Sequence, residues 1–166
     1  MSEIIHAPEL FSERLRFTDM TEDDADFVVS VRNDPEVYKF FISVHEITIE
    51  EHLNWFKNSY IYNSDRFDWI ARNPEGERVG IFGVKRVSLE EKSAEISYIL
   101  SSSFYKKGYA SEAVKRLIHF CFDEWKCDKV IAEIHKNNDA SLKLIERLNF
   151  SKSSSNGDFV IWELKR

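Results

Sequence analysis

The feature that most constrains this chain is a junction. Residues 94–100 form an apolar, β-like run, and Ser102-Ser103-Phe104-Tyr105-Lys106-Lys107-Gly108-Tyr109-Ala110-Ser111-Glu112-Ala113 then open a helical pattern that continues to about Trp125. A strand, a short basic turn with one glycine and a helix bring the helix N-terminus close to the end of the strand. The first helical turn has backbone N–H groups with no intrahelical partner, and the helix dipole adds partial positive charge there. Gly108 lets backbone approach a ligand without a Cβ in the way, and Lys106 and Lys107 add mobile positive charge. The pattern predicts an anion cradle with a pyrophosphate as its ligand, lying on the N–H groups of Lys106, Lys107, Gly108, Tyr109, Ala110 and Ser111. Neither G-x-G-x-x-G nor G-x-x-x-x-G-K-[ST] occurs in the chain, so the turn names no particular nucleotide. Many αβ connections carry such a turn for structural reasons alone.

The rest of the chain sets the context. Arg14-Leu15-Arg16-Phe17 alternates as a first strand. Residues 21–31 read as a helix that stops near Asp34-Pro35, since proline disfavours helix in the residue before it. Thr48-Ile49-Glu50-Glu51 is a capping-box pattern opening a second helix to about Tyr60. Residues 67–72, 79–87 and 94–100 read as an antiparallel meander. After the long helix, a strand at 129–135, a helix at 139–148 and strands at 150–152 and 159–164 close the chain. The expectation is a single α+β domain over residues 1–166, a mixed central sheet of about six to seven strands flanked by about four helices.

Bulk properties exclude some functions. A net charge of −6 disfavours nonspecific nucleic-acid binding. No apolar run approaches the roughly 20 residues that span a membrane, and residues 1–10 lack a basic-then-apolar signal pattern. Cys121 and Cys127 have no metal-ligand companions and read as buried or incidental thiols of a cytoplasmic protein. No His/Cys/Asp cluster has metal-ligand spacing, so no metal is expected.

Three segments resemble the GCN5-related N-acetyltransferases, the GNAT superfamily. Glu95-Ile96-Ser97-Tyr98-Ile99-Leu100 resembles the family's fourth strand, E-[IL]-G-Y-x-[IL]. Tyr105-Lys106-Lys107-Gly108-Tyr109-Ala110 resembles its acetyl-CoA signature, [RQ]-x-x-G-x-[GA]. Asn138-Asp139-Ala140-Ser141-Leu142 through Leu148-Asn149-Phe150 resembles its N-x-x-[AS]…L-G-F segment. The branch is the one holding ribosomal-protein N-terminal, spermidine and UDP-4-amino-sugar acetyltransferases. Arg32-Asn33-Asp34-Pro35-Glu36-Val37, followed by residues 47–56 with Glu51-His52-Leu53, is similar to the last of these. The departures are Tyr105 for Arg or Gln, Lys106 for a common Gly, and Asn149 for the Gly of L-G-F. Ile145 stands where many members carry a Tyr that protonates the leaving thiolate. Asn tolerates the left-handed conformation that Gly would supply at 149.

The resemblance implies direct, acetyl-CoA-dependent transfer of an acetyl group to a primary amine. Tyr98, Ile99 and Leu100 would pair as a strand edge with the pantetheine amides, Asn138 would cap the last helix or bond the pantetheine, and a backbone N–H near Ile99 would face the developing oxyanion. An alkyl amine has a pKa of about 10, so roughly one in 10³ is free base at neutral pH. Glu95 is the expected base; its alternative is a solvated or salt-bridged strand residue. Ser141 is the expected donor to the departing sulfur; its alternative is a small residue that gives clearance. Arg32, His52 and Trp55 are expected on the acceptor side, with ordinary packing as the alternative. The acceptor is expected to be a small amine, with a UDP-4-amino sugar the sharpest choice. A peptide N-terminus, as on a ribosomal protein, or a polyamine is the second reading, and a non-catalytic acyl-CoA-binding module the third. A homodimer stays open.

Overall fold

The chain builds one sheet with a helical layer on each face, and alternation along the strands decides which side chain meets which layer. The computed structural model describes residues 2–166. Its strands are β1 (Leu10–Phe11), β2 (Arg16–Asp19), β3 (Arg66–Arg72), β4 (Arg78–Ser88), β5 (Ser93–Leu100), β6 (Lys129–His135), β7 (Ser151–Asn156) and β8 (Phe159–Lys165). The helices are α1 (Ala25–Arg32), α2 (Pro35–Tyr38), α3 (Ile49–Asn58), α4 (Tyr109–His119) and α5 (Asp139–Arg147), with short 3₁₀ turns at Glu22–Asp24, Tyr60–Tyr62 and Ser102–Phe104. The sheet order is β1-β2-β3-β4-β5-β6-β8-β7. Every neighbouring pair is antiparallel except β5 with β6.

On one face, Phe17, Trp69, Phe82, Val84, Ala94 and Ile96 pack against Val114, Leu117 and Phe120 of the α4 segment and Leu144 and Ile145 of α5. On the other, Ile70 and Ile81 pack against Val28 and Val31 of α1 and Phe56 of α3. Neighbouring residues of one strand thus serve opposite layers: Trp69 one core, Ile70 the other.

The outline expected from the sequence holds, with local corrections. Among the described residues there are eight strands rather than six or seven, the extra one being β1, two residues of which Leu10 is buried. The first helix is preceded by a 3₁₀ turn with Thr21 and Asp24 in a reciprocal capping box. Asp34-Pro35 ends α1 but also begins α2: Asp34 accepts from the Glu36 N–H and Pro35 takes the first helical position, where its missing N–H costs nothing. The long helix does not run as α to Trp125. It loosens into a π turn over Phe120–Glu124, with Phe120 and Cys121 still buried. Asn149 adopts φ 70. Cys121 and Cys127 are both buried and free. Among the described residues, no helix is long and apolar enough to cross a membrane.

Candidate active site

The site arises where the sheet splits. Strands β5 and β6 pair only through Ser93/Lys129, Ala94/Val130 and Glu95/Ile131. Beyond Glu95 they part, and β5 runs on to Leu100 with only β4 beside it. A cleft of about 1070 Å³ opens along the free edge of Tyr98, Ile99 and Leu100. It reaches the N-terminus of α4 at one end and the layer of α1 and α3 at the other.

The α4 end has the backbone geometry that an anion cradle requires. Gly108 is the N-cap, at φ 79, and no side chain caps the helix, so the first-turn N–H groups remain for a ligand. Lys106 is also left-handed, at φ 64. Arg14 fixes this turn from behind. Its Nε donates to Glu112 at 2.8 Å, its Nη1 donates to the Lys107 carbonyl at 2.8 Å, and its guanidinium lies 4.6 Å from the Tyr109 ring centre. A Cβ on Gly108 would come within 3.2 Å of Arg14 Nη2. Lys106, Gly108, Tyr109, Ala110 and Ser111 border the cleft, whereas Lys107 does not; its carbonyl is committed to Arg14.

Strand β5 divides its side chains between the two ends. Tyr98 and Leu100 pack with the α4/α5 core, and Ile99 with the α1/α3 core. Tyr98 therefore points toward α5, where its hydroxyl hydrogen-bonds the Ser141 hydroxyl. Ser141 sits in the first turn of α5, and its N–H donates to the Asn138 N-cap side chain at 3.3 Å. Burial pushes the Tyr98 phenol up to about 12. Ile145 is fully buried in the core and offers the cleft no donor.

Glu95 faces the other way, on the layer of α1 and α3. Burial, and then the charge of Glu133, raise its carboxyl above the usual range, while Lys85 and Arg66 oppose that shift. The cross-strand ladder explains these neighbours: Arg66 pairs with Lys85, Lys85 with Glu95, and Glu133 lies two residues past the partner of Glu95. Two residues along, on the same face, Asp68 pairs with Gly83 and Gly83 with Ser97. Asp68 is buried and accepts from Arg66 Nε at 2.7 Å.

Arg32, His52 and Trp55 border this end of the cleft. His52 is 4% exposed and packs on Trp55 and Phe56, and its Nε2 has no hydrogen-bond partner among the described residues. Burial and the nearby Arg32 charge lower its pKa, so it is a neutral imidazole at neutral pH. Arg32 Nε is likewise buried and unpartnered, and Arg32 forms no ion pair among the described residues. Burial and the Arg66 charge lower its pKa. Its guanidinium lies 5.6 Å from the Phe41 ring centre. The following residues fix it there. The Asn33 side chain bonds the Ile47 backbone in both directions at 2.8 Å, and Asp34 accepts from Ser102 Oγ at 2.7 Å. Glu133, Arg66 and Asp68 are among the cleft residues that sequence reasoning missed. The alternation of 129–135 around buried Val130, Ala132 and Ile134 was the available signal for Glu133.

A family model described as an acetyltransferase (GNAT) domain matches residues 14–151. An uncharacterized N-acetyltransferase p20 of Bacillus licheniformis is 29% identical over 90% of this chain and 86% of its own length. The acetyltransferase PseH of Campylobacter jejuni is 24% identical over 86% of this chain and 87% of its own. Among solved structures, spermidine N-acetyltransferase from Vibrio cholerae, in complex with CoA and spermine, superimposes with a TM-score of 0.83 over 92% of this chain and 95% of that one. Its identity is 15%, a likeness of fold alone.

Proposed function

This chain belongs to the GNAT acetyltransferases, and from that premise we propose that it acetylates an anionic primary amine, the 4-amino group of a sugar nucleotide such as a UDP-4-amino sugar. The observation that carries the choice is Arg32: a half-buried guanidinium that borders the cleft, has no carboxylate partner among the described residues and stands near a second arginine, Arg66. Two guanidiniums, one of them unpaired, suit a phosphate-bearing acceptor. Phe41, Trp55 and the neutral His52 offer a largely apolar surface for a base or sugar ring.

The residues fit acetyl-CoA. The unpaired edge of Tyr98, Ile99 and Leu100 is open to added amides, and the uncapped first turn of α4 with Gly108 at its N-cap suits a pyrophosphate. When bound, acetyl-CoA supplies an activated acetyl group as a thioester. Glu95 accepts the surplus proton of the acceptor amine, its raised pKa making it a stronger base than an ordinary carboxylate. Arg32 holds the acceptor's phosphate, and Asn138 keeps the first turn of α5 in place through Ser141.

Arg32→Met tests the choice. A charge-assisted hydrogen bond contributes about 2 kcal/mol, so KM for the phosphorylated amine rises roughly 30-fold with kcat little changed. The same amino sugar without its phosphates is used poorly by both forms. Equal KM values in the two forms would remove the case for an anionic acceptor.

A further inference from the structure

Resting on the acetyl-CoA reading, we propose that Asp34 is a positioning residue that ties the acceptor wall to the cofactor turn, so that CoA seated on the turn stiffens α2 through the bond from Ser102. The two oxygens of its carboxylate serve different parts of the molecule. Oδ1 accepts from the Glu36 N–H at 3.0 Å and caps α2, whereas Oδ2 accepts from Ser102 Oγ at 2.7 Å, 68 positions along the chain. The cleft is bordered by residues on either side of this pair but by neither Asp34 nor Ser102, so the pair acts through its neighbours.

Each end of the bond leads into the site. On one side, α2 is followed by Lys39, Phe40 and Phe41, which border the cleft, and Arg32 lies two residues before Asp34. On the other, Ser102 opens the 3₁₀ turn to Phe104. The Ser101 N–H donates to the Val79 carbonyl at 2.9 Å, and the Tyr105 N–H donates back to the Ser102 carbonyl at 3.3 Å. Tyr105 and Lys106 then border the cleft, so a pyrophosphate on the turn that follows fixes Ser102 as well.

Helix α2 is the element able to respond. It has four residues, of which only Val37 is buried, too few to hold a helix by backbone bonds alone. The N–H groups of Val37 and Tyr38 both donate to the Asp34 carbonyl at 2.9 Å, and the carboxylate fixes Asp34 itself. Fraying of α2 is thus an exchange between a capped and an open arrangement, and a fixed Ser102 favours the capped one. By linkage, whatever holds the capped arrangement from the acceptor side favours CoA in return.

The test uses CoA alone and requires no acceptor. Amide hydrogen exchange at Val37 and Tyr38 is followed by NMR, with and without saturating CoA, in wild type, Ser102→Ala and Ser102→Thr. Ser102→Ala leaves the cap on Glu36 in place and cuts only the link. In wild type CoA should slow exchange at both amides by about tenfold, within what one charge-assisted hydrogen bond supports. In Ser102→Ala the slowing should fall below about twofold, with the CoA Kd changed by less than about threefold. Ser102→Thr, which keeps the hydroxyl, should restore it. The His52 amide in α3 should respond to CoA alike in all three proteins. Equal slowing in wild type and Ser102→Ala, or none in wild type with CoA bound, overturns the proposal and leaves the acetyl-CoA reading standing. Faster exchange in Ser102→Ala by one factor with and without CoA makes the bond structural only and overturns it too. Failure of wild type to bind CoA overturns both.

Discussion

Gly83→Ala probes the architecture beneath the acceptor end. A Cβ at Gly83 would fall 2.4 Å from Asp68 Oδ1 and 2.9 Å from Ser97 Oγ. The serine hydroxyl can rotate away. Asp68 cannot, because its carboxylate is buried and bonded to Arg66 at 2.7 Å, and its backbone N–H donates to the Tyr60 hydroxyl at 2.7 Å. Overpacking of this kind costs about 1–3 kcal/mol. Loosening the charged hydrogen bond adds about 1 kcal/mol, toward the low end because Arg66 is partly exposed. The expected loss is thus about 2–4 kcal/mol, or roughly 4–16 °C in Tm for a chain of this size. Urea denaturation of four proteins separates the clash from a general intolerance of alanine: wild type, Gly83→Ala, Asp68→Ala and the double variant. In the Asp68→Ala background the carboxylate is gone, and adding Gly83→Ala should cost less than about 1 kcal/mol. The same cost in both backgrounds, or a fully stable Gly83→Ala, would refute the reasoning.

Two further outcomes follow from the site. Glu133→Gln removes the like charge that helps raise Glu95. In the role proposed for it Glu95 must be ionised, so activity falls as pH drops through its pKa, and the acid limb of the kcat/KM profile should move to lower pH. An unmoved limb would dissociate Glu133 from the base. Gly108→Ala forces a Cβ into a left-handed N-cap, at a cost of about 1–2 kcal/mol. The Tm should fall by a few degrees, and calorimetry should show weaker CoA binding where relief of the strain shifts the first-turn N–H groups; undiminished affinity would place the pyrophosphate elsewhere.

Much of the fold was legible because it rests on local pattern. The alternation of Ile96, Tyr98 and Leu100, the N-cap at Thr48, of whose expected capping box only the bond from the Glu51 N–H forms, and the asparagine at 149 each act within a few residues. What was not legible depends on tertiary support. A two-residue strand such as β1 has no pattern to read and exists because β2 lies beside it. Pro35 signalled a stop, yet the carboxylate of Asp34 turned it into a new helical start. The π turn begins at Phe120, which is buried in the core, with Phe122 and Trp125 packed against it. At the site, Glu95 could be singled out by the family resemblance of its strand, but its coupling to Glu133 needed the parallel register of β5 and β6. The Tyr98–Ser141 bond joins residues 43 positions apart. Arg32, expected at the acceptor side, borders the cleft, whereas its lack of a carboxylate partner among the described residues is a property of the packed layers and of no sequence motif.

The most direct test of the proposed activity is release of free CoA from acetyl-CoA by the wild-type chain against four acceptors: a UDP-4-amino sugar, spermidine, an aminoglycoside and a short peptide with a free N-terminus. Turnover is expected to be confined to the amino sugar nucleotide and abolished for it by Glu95→Gln. Faster turnover of spermidine or of the peptide, with the sugar nucleotide left untouched, would contradict an anionic acceptor held by Arg32.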